Sequence, residues 1–226
     1  MSHTIAVIGG TGPQGRGLAY RLAMGGYDVV VGSRDAVKAG EKATEIAEKA
    51  GGAVTIRGCG NSAAADEADI VVLAVPYEGH AALVASLGEQ LAGKIVISCV
   101  NPLAFDAAGP YAVRVPDGSA AEEAARLVPT AKVVGAFHHV SALNLWKHEG
   151  PLSHEDVLVC GDDNEANEVV AELAGTVTGR AGVIAGGLRL ARELEPLTAV
   201  LININKRFKV RSGIQISGLP ALASAS

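Results

Sequence analysis

The run Gly9-Gly10-Thr11-Gly12-Pro13-Gln14-Gly15 places Gly10, Gly12 and Gly15 at the G-x-G-x-x-G spacing. It follows the apolar tetrad Ile5-Ala6-Val7-Ile8 and opens an amphipathic stretch, the context in which that spacing carries meaning. Gly10 permits a tight turn, Gly12 lets the backbone approach a pyrophosphate, and Gly15 lets helix and strand pack closely. An anion bound there would face free N–H groups at a helix N-terminus, where the dipole favours negative charge. The spacing predicts a dinucleotide site; a purely structural glycine turn is the alternative.

The end of the second apolar run, Val29-Val30-Val31-Gly32-Ser33-Arg34, selects the dinucleotide. NAD sites usually carry Asp or Glu there for the ribose 2′-hydroxyl, and NADP sites carry Arg for the 2′-phosphate. Ser33-Arg34 offers no acid at the tip, and Asp35 falls one residue on, where Asp is an ordinary helix N-cap. Lys38 lies one helical turn further. A hydroxyl, a guanidinium and an ammonium together suit a phosphate, so the cofactor is read as NADP(H).

Further along stand three more candidates. His138-His139 follow an apolar run, and adjacent residues at a strand end point to opposite sides, so one ring could face a cleft. The backbone of Val140 to Ala142 could bond a carboxamide or a flat ring. Asn203, Asn205, Lys206, Arg207, Lys209 and Arg211 form a basic cluster with no acid after Glu195; it is either a solvated face or the seat of a second anionic ligand. There is no G-x-S-x-G elbow, no zinc-ligand spacing and no Tyr-x-x-x-Lys pair. Hydride transfer between two rigid planar rings needs orientation and water exclusion more than an acid or base, because the cofactors supply the chemistry.

The elements that must position these residues alternate strand and helix, which predicts an α/β, doubly wound parallel sheet of the Rossmann type. Helices are expected over Pro13 to Met24, Asp35 to Ala50, Ser62 to Ala68 and Tyr77 to Leu91. Strands are expected over Ala53 to Arg57, Ile70 to Val75, Ile95 to Val100, Lys132 to Phe137 and Asp156 to Cys160. Phe105 to Gly118 reads as a loop. Ser119 and Glu122 make a capping box for a helix ending near Val128. Asp162 to Ala174 reads as a helix and Thr176 to Ile184 as the last strand region. Leu188 to about Phe208 is a long helix with Pro196 as a kink or restart. Ligands of such sheets lie outside the strands' carboxyl ends, so Val75-Pro76-Tyr77 and Val100-Asn101-Pro102-Leu103 are expected to face the nicotinamide. The division expected is a Rossmann NADP-binding domain over 1–185 and a small, mainly helical C-terminal domain over 186–226 that closes the site.

The 226 residues suit one large domain or one domain and a small companion. With 19 basic and 24 acidic residues the net charge is −5, which argues against a general nucleic-acid surface. Cys59, Cys99 and Cys160 are far apart and each adjoins an apolar stretch, as buried reduced thiols do, which points to the cytoplasm. Met1-Ser2-His3-Thr4 runs straight into the first strand, so no signal peptide is expected, and no apolar segment reaches transmembrane length.

The chain resembles the NADPH-dependent reductases of the deazaflavin coenzyme F420 over nearly its full length. The resemblance is carried by Gly9-Gly10-Thr11-Gly12-x-x-Gly15-x-Gly17-Leu18-Ala19, by Val31-Gly32-Ser33-Arg34, by Val134 to Ala142, and by Val159-Cys160-Gly161-Asp162-Asp163. It implies hydride transfer between carbon 4 of the nicotinamide and carbon 5 of F420 as co-substrate, by a homodimer. It implies that Thr11, Gly12, Pro13 and Gln14 wrap the pyrophosphate, and that Ser33, Arg34 and Lys38 hold the 2′-phosphate. Val75, Asn101, Leu103 and Ala142 would line the nicotinamide pocket, and His138 and Val140 would border the deazaflavin, with His138 the catalytic candidate. F420 carries a phosphate and glutamates, so Asn203 and Arg207 in the basic cluster become candidate contacts. Asn101, His139 and Ser141 depart from the family pattern at the pocket. Two other functions fit the residues: an NADPH-dependent reductase of a small carbonyl or imine, with His138 or His139 as proton donor, and an NADP(H)-sensing module without turnover.

Overall fold

The computed structural model describes residues 3–219; Met1, Ser2 and residues 220–226, the outer ends of the two expected domains, lie outside them. The first half alternates as expected: β1 (Thr4–Ile8), α1 (Pro13–Met24), β2 (Asp28–Ser33), α2 (Ala36–Lys49), β3 (Ile56–Gly60), α3 (Asn61–Glu67) and β4 (Ile70–Leu73). There follow α4 (His80–Ser86), α5 (Gly88–Leu91), β5 (Ile95–Ser98), β6 (Leu103–Asp106), β7 (Gly109–Ala112), α6 (Ala120–Leu127) and β8 (Lys132–Gly135). The remainder is α7 (Ala142–Lys147), β9 (Leu158–Gly161), α8 (Asn164–Thr178), β10 (Val183–Gly186), one 3-10 turn at Leu188–Leu190, and α9 (Ala191–Phe208).

Eight strands form one sheet in the order β10-β9-β8-β5-β4-β1-β2-β3. Alternate residues of each strand feed opposite faces, as the two-residue period of a strand requires. Ile5 and Val7 join Leu18 and Leu22 of α1, Ile46 of α2, Leu145 of α7 and Val170 of α8 in one core layer. Ala6 and Ile8 join Ala64 of α3, Val84 of α4, Ala121 of α6 and Leu194 of α9 in the other. Small alanines on these helices bring backbone close to sheet, which accounts for the scarcity of aromatics.

Several expectations are corrected. Six strands are parallel, but β9 runs antiparallel to β8, with Val134 opposite Gly161 and Gly135 opposite Cys160, while β10 is parallel to β9. A parallel return needs a helical crossover along the sheet; here the intervening α7 docks on α1 instead, so the chain re-enters from the end at which it left. Phe105 to Gly118 is not all loop, because β6 and β7 form an antiparallel hairpin closed by Asp106, whose Oδ1 accepts from the N–H groups of Ala108 and Gly109. Tyr77 to Leu91 is split: Gly79, at φ +80°, precedes α4, and α5 follows after Leu87. Thr176 to Thr178 belong to α8, which ends at Gly179 with φ +78°, so the last strand begins only at Val183. The strand expected over Ala53 to Arg57 begins at Ile56.

The parallel strands end nearly flush. Ile8 pairs with Gly32 and Leu73, Leu73 with Ser98, and Ser98 with Gly135. Beyond that line Ala74, Cys99 and Ala136 each donate one last N–H, to Ile8, Leu73 and Ser98 respectively. The chain then turns out of the sheet, so the expected strand ends at Val75, Val100 and Phe137 become loops on one edge. Cys99 and Cys160 are buried, and burial pushes both thiols up to about 12. Cys59 is half-buried at the end of β3.

Candidate active site

The glycine run forms the first turn of the edge. Gly10 donates its N–H to the carbonyls of Val7 and Gly32, both at 3.1 Å, and so locks β1 to β2. Gly15 is required by the protein itself, since a Cβ there would lie 2.5 Å from the Gly9 carbonyl oxygen and 2.8 Å from Gly10 Cα. Gly12 differs: a Cβ would meet only the Gly9 oxygen, at 3.4 Å. The space it leaves faces a cleft rather than a neighbour. Gly12 also caps α1 with Pro13 at the first helical position and no side-chain cap, so the helix N-terminus is left for an anion.

That cleft has a volume of about 430 Å³ and is lined by Gly9, Thr11, Gly12, Ser33, Arg34, Asp35 and Lys38, with Asn61, Ala74, Val75, Pro76, Glu78, Gly79 and Leu83 opposite. Asp35 is the N-cap of α2, accepting from the N–H groups of Val37 at 3.1 Å and Lys38 at 3.2 Å. Its carboxylate is thus engaged along the helix, 3.8 Å from the Lys38 ammonium. Ser33 Oγ accepts from the Asp35 N–H at 3.2 Å and turns the chain so that Arg34 stands exposed at the cleft rim. A hydroxyl and two cations at the tip of β2 fit a 2′-phosphate. Asn61, the first residue of α3, was not among the expected contacts; its place directly after the β3 end was the available signal.

A second cavity of about 460 Å³ opens past the α1 N-terminus. Its walls come from Gln14, from Asn101 after β5, from His138 to Leu143 after β8, from Thr198, Leu201, Ile202, Asn205 and Lys206 of α9, and from Arg211 and Ser212 of the tail. The loop after β8 is held under tension: Phe137 is buried with φ 61°, in the left-handed region that a non-glycine residue occupies only at a cost. Three side chains hold its carbonyls. Gln14 Nε2 donates to Phe137 O at 3.3 Å, and Asn101 Nδ2 and Thr198 Oγ1 both donate to His138 O, at 3.0 and 2.9 Å.

This turn brings both histidines to the cavity, where an extended strand would have separated them. Their ring centroids are 5.9 Å apart. His139 Nε2 lies 2.9 Å from the Leu194 carbonyl and donates to it, and burial lowers its pKa. His138 is 3 % exposed and neither ring nitrogen has a partner among the described residues. Burial, reinforced by His139, holds it neutral down to about 3. A neutral imidazole is a poor source of protons at neutral pH.

The other expected contacts fall elsewhere. Val75 and Pro76 line the first cleft rather than the His138 cavity. Leu103 is in β6 and lines neither. Asn203 and Arg207 lie on a different face of α9 from Leu201, Asn205 and Lys206. Asn203 Nδ2 bonds back to Ala199 O beside Gly109, and the Arg207 guanidinium sits 5.6 Å over the Phe208 ring. The basic contribution to the cavity comes from Lys206 and Arg211 instead. Arg211 and Ser212 arrive because the tail folds back: Ser212 donates its N–H and its hydroxyl to Asn205 Oδ1 at 2.6 and 2.9 Å, and Asp156, just before β9, donates its N–H to Ile214 O at 2.6 Å and accepts from Ile216 N–H at 2.7 Å.

A third cavity, about 520 Å³, lies between the 112–118 loop and α9. Its buried carboxylate, Glu195, is already occupied in accepting from the N–H groups of Ala120 and Ala121. Burial raises its pKa to about 7.

The family description "NADP oxidoreductase coenzyme F420-dependent" matches residues 4–102, the strands and helices that build the first cleft. The F420-dependent NADP reductase of Methanothermobacter thermautotrophicus is 43% identical, covering 96% of this chain and 95% of its own. That of Methanocaldococcus jannaschii is 41% identical over 95% of this chain and 98% of its own. A crystal structure from Arthrobacter sp. FB24 superposes with a TM-score of 0.81 at 28% identity, over 96% of this chain and all of that one. The likeness extends through the β8 loop and α9, the walls of the second cavity, and on these grounds the chain belongs to the F420-dependent NADP reductase family.

Proposed function

We propose that this protein is an oxidoreductase that transfers hydride reversibly between NADP(H) and coenzyme F420. The observation that carries the reading is the pairing on one sheet edge of two different cavities, one ending in Ser33, Arg34 and Lys38, the other walled by His138 and its neighbours with Lys206 and Arg211 on the side of α9 and the tail. Bound together, the two coenzymes supply the hydride chemistry themselves. The chain's residues bind, orient and exclude water. Thr11, Gly12, Pro13 and Gln14 take the pyrophosphate, and Ser33, Arg34 and Lys38 take the 2′-phosphate. Asn101 and Ala142 border the nicotinamide. His138, held neutral, and Val140 border the deazaflavin, with Lys206 and Arg211 as the nearby cations. Burial lowers the pKa of both histidines, so neither carries a proton to give at neutral pH, which favours this reading over reduction of a carbonyl or imine by His138 or His139.

Residues 186–219, the described part of the expected C-terminal domain, are read as the closing segment, since α9 and the tail supply a wall of the second cavity. The functional unit is read as a homodimer: Val200, Ile204 and Phe208 repeat at helical spacing on α9 and are 51, 36 and 63 % exposed, and the adjoining hairpin exposes Phe105 and Tyr111. No helix among the described residues is long and apolar enough to cross a membrane. Three free thiols and a net charge of −5 support a cytoplasmic protein without nucleic-acid partners.

The test is spectrophotometric. Purified protein is mixed with oxidised F420 and NADPH, with NADH in parallel, and the visible deazaflavin band is followed. Loss of the band with NADPH and little with NADH is expected. A stable band, with NADPH binding shown separately, would remove the activity and leave the cofactor site.

A further inference from the structure

The protein fixes one half of the Asn101 side chain and leaves the other half unused. Nδ2 donates to the His138 carbonyl at 3.0 Å. This contact sets the orientation of the amide, because turning it over would bring Oδ1 against the same carbonyl oxygen. Oδ1 is sealed from solvent and has no donor among the described residues. A buried acceptor left in this state is costly. Asn101 is not needed to satisfy the carbonyl it holds, since Thr198 Oγ1 donates to the same oxygen at 2.9 Å.

Position narrows the missing donor. Asn101 stands just beyond Ser98, the end of a central strand, and lines the same cavity as Gln14 of the glycine loop. A nicotinamide reached from that loop presents carbon-bound hydrogens on all its ring edges. Its carboxamide carries its only N–H groups.

We propose that Asn101 is a positioning residue that reads the nicotinamide carboxamide: Oδ1 accepts one carboxamide N–H and so fixes the rotation of the ring and the face it turns toward the hydride acceptor. The assignment rests on the reading of this cavity as the hydride-transfer half of an NADP site. It is separate from the identity of the acceptor.

The experiment uses NADP+ and its 3-acetylpyridine analogue, in which a methyl ketone keeps the oxygen and lacks the N–H groups. Both are titrated calorimetrically into the full chain without F420. The wild type is expected to bind NADP+ roughly tenfold tighter than the analogue, the size of a lost donor to a buried acceptor. Asn101→Leu is expected to bring the ratio within about twofold of unity. Asn101→Ser, too short to reach, gives the same result should leucine disturb folding, which circular dichroism melting reports. A wild-type ratio near unity, a ratio unchanged in both Asn101 variants, or no measurable NADP+ binding overturns the proposal. Discrimination that depends on Asn101, in a protein that leaves F420 unreduced, would uphold it while removing the proposed acceptor.

Discussion

Gln14 Nε2 donates to the carbonyl of Phe137 at 3.3 Å, across 123 positions of sequence. The bond joins α1, the helix proposed to receive the pyrophosphate, to the strained turn that presents His138. A cofactor bound as proposed at the α1 N-terminus would touch the same residue that steadies the second cavity. Gln14→Ala is expected to lower stability by about 1 kcal/mol and to weaken both NADPH binding and hydride transfer. Urea unfolding and steady-state kinetics on one preparation check this. A change in stability with both kinetic constants untouched would make the contact purely structural.

Arg34 stands exposed at the rim of the first cleft, beside Ser33 and Lys38. Arg34→Ala is expected to weaken NADPH roughly ten- to a hundredfold, as loss of a charge-assisted partner does, and to leave NADH nearly unchanged. Fluorescence titration with both nucleotides measures it. An unaltered preference for NADPH would move the phosphate site elsewhere.

Two glycines in one motif should respond in opposite ways. Gly15→Ala drives a Cβ into the Gly9 carbonyl at 2.5 Å, so the folded state itself is expected to suffer, with a marked drop in Tm. Gly12→Ala meets only one atom, at 3.4 Å. Its Tm is expected to stay within about 2 °C of wild type while NADPH affinity falls at least several-fold. Calorimetry with and without NADPH separates the two.

His138 makes folding sensitive to acid. Its folded-state pKa, lowered to about 3 by burial, lies below the ordinary 6.5. Above 6.5 both folded and unfolded chains hold the ring neutral. Between 6.5 and 3 the unfolded chain takes up a proton that the folded one refuses, so stability falls as pH falls through that window. His139 acts in the same direction, and Glu195, raised to about 7, acts in the opposite one as pH drops from 7 toward 4.5. Urea midpoints from pH 7 to 4 are expected to fall less steeply in His138→Asn than in wild type. Equal slopes would show that the ring is solvated in solution.

Val200, Ile204 and Phe208 form one exposed stripe of α9. Phe208→Glu, placing a charge in that stripe, is expected to shift the protein from dimer to monomer. Light scattering on the eluting peak reads the mass directly, and a wild-type monomer would remove the homodimer.

The glycine turn and the β2 tip were legible in the sequence because each rests on a local rule, torsion or cap, whereas the apolar runs that mark β4, β5 and β8 continue two residues past the end of each strand. What escaped was decided at long range. The direction of β9 depends on where α7 docks, and α7 itself is only six residues long. The β6–β7 hairpin has four-residue strands and an Asp106-centred turn, too brief for alternation to register. At the site, the basic cluster of the sequence points to Asn203 and Arg207, whereas the face that α9 turns to the cavity is the one carrying Thr198 and Leu201. Arg211 and Ser212 reach the cavity through the Ser212 bonds to Asn205 and the Asp156 bonds to the tail, of which the latter span about 60 positions and follow no local pattern.

The unequal burial of the three thiols gives the protein a built-in reporter. Cys99 and Cys160 are sealed and held far above the pH range of thiolate chemistry. Cys59 alone is partly open, two residues from Asn61 on the wall of the first cleft. A maleimide dye added under mildly alkaline conditions should attach at that one position without engineering. Its attachment rate, slowed by NADP+ and unaffected by F420, would then follow occupancy of the adenosine end independently of turnover.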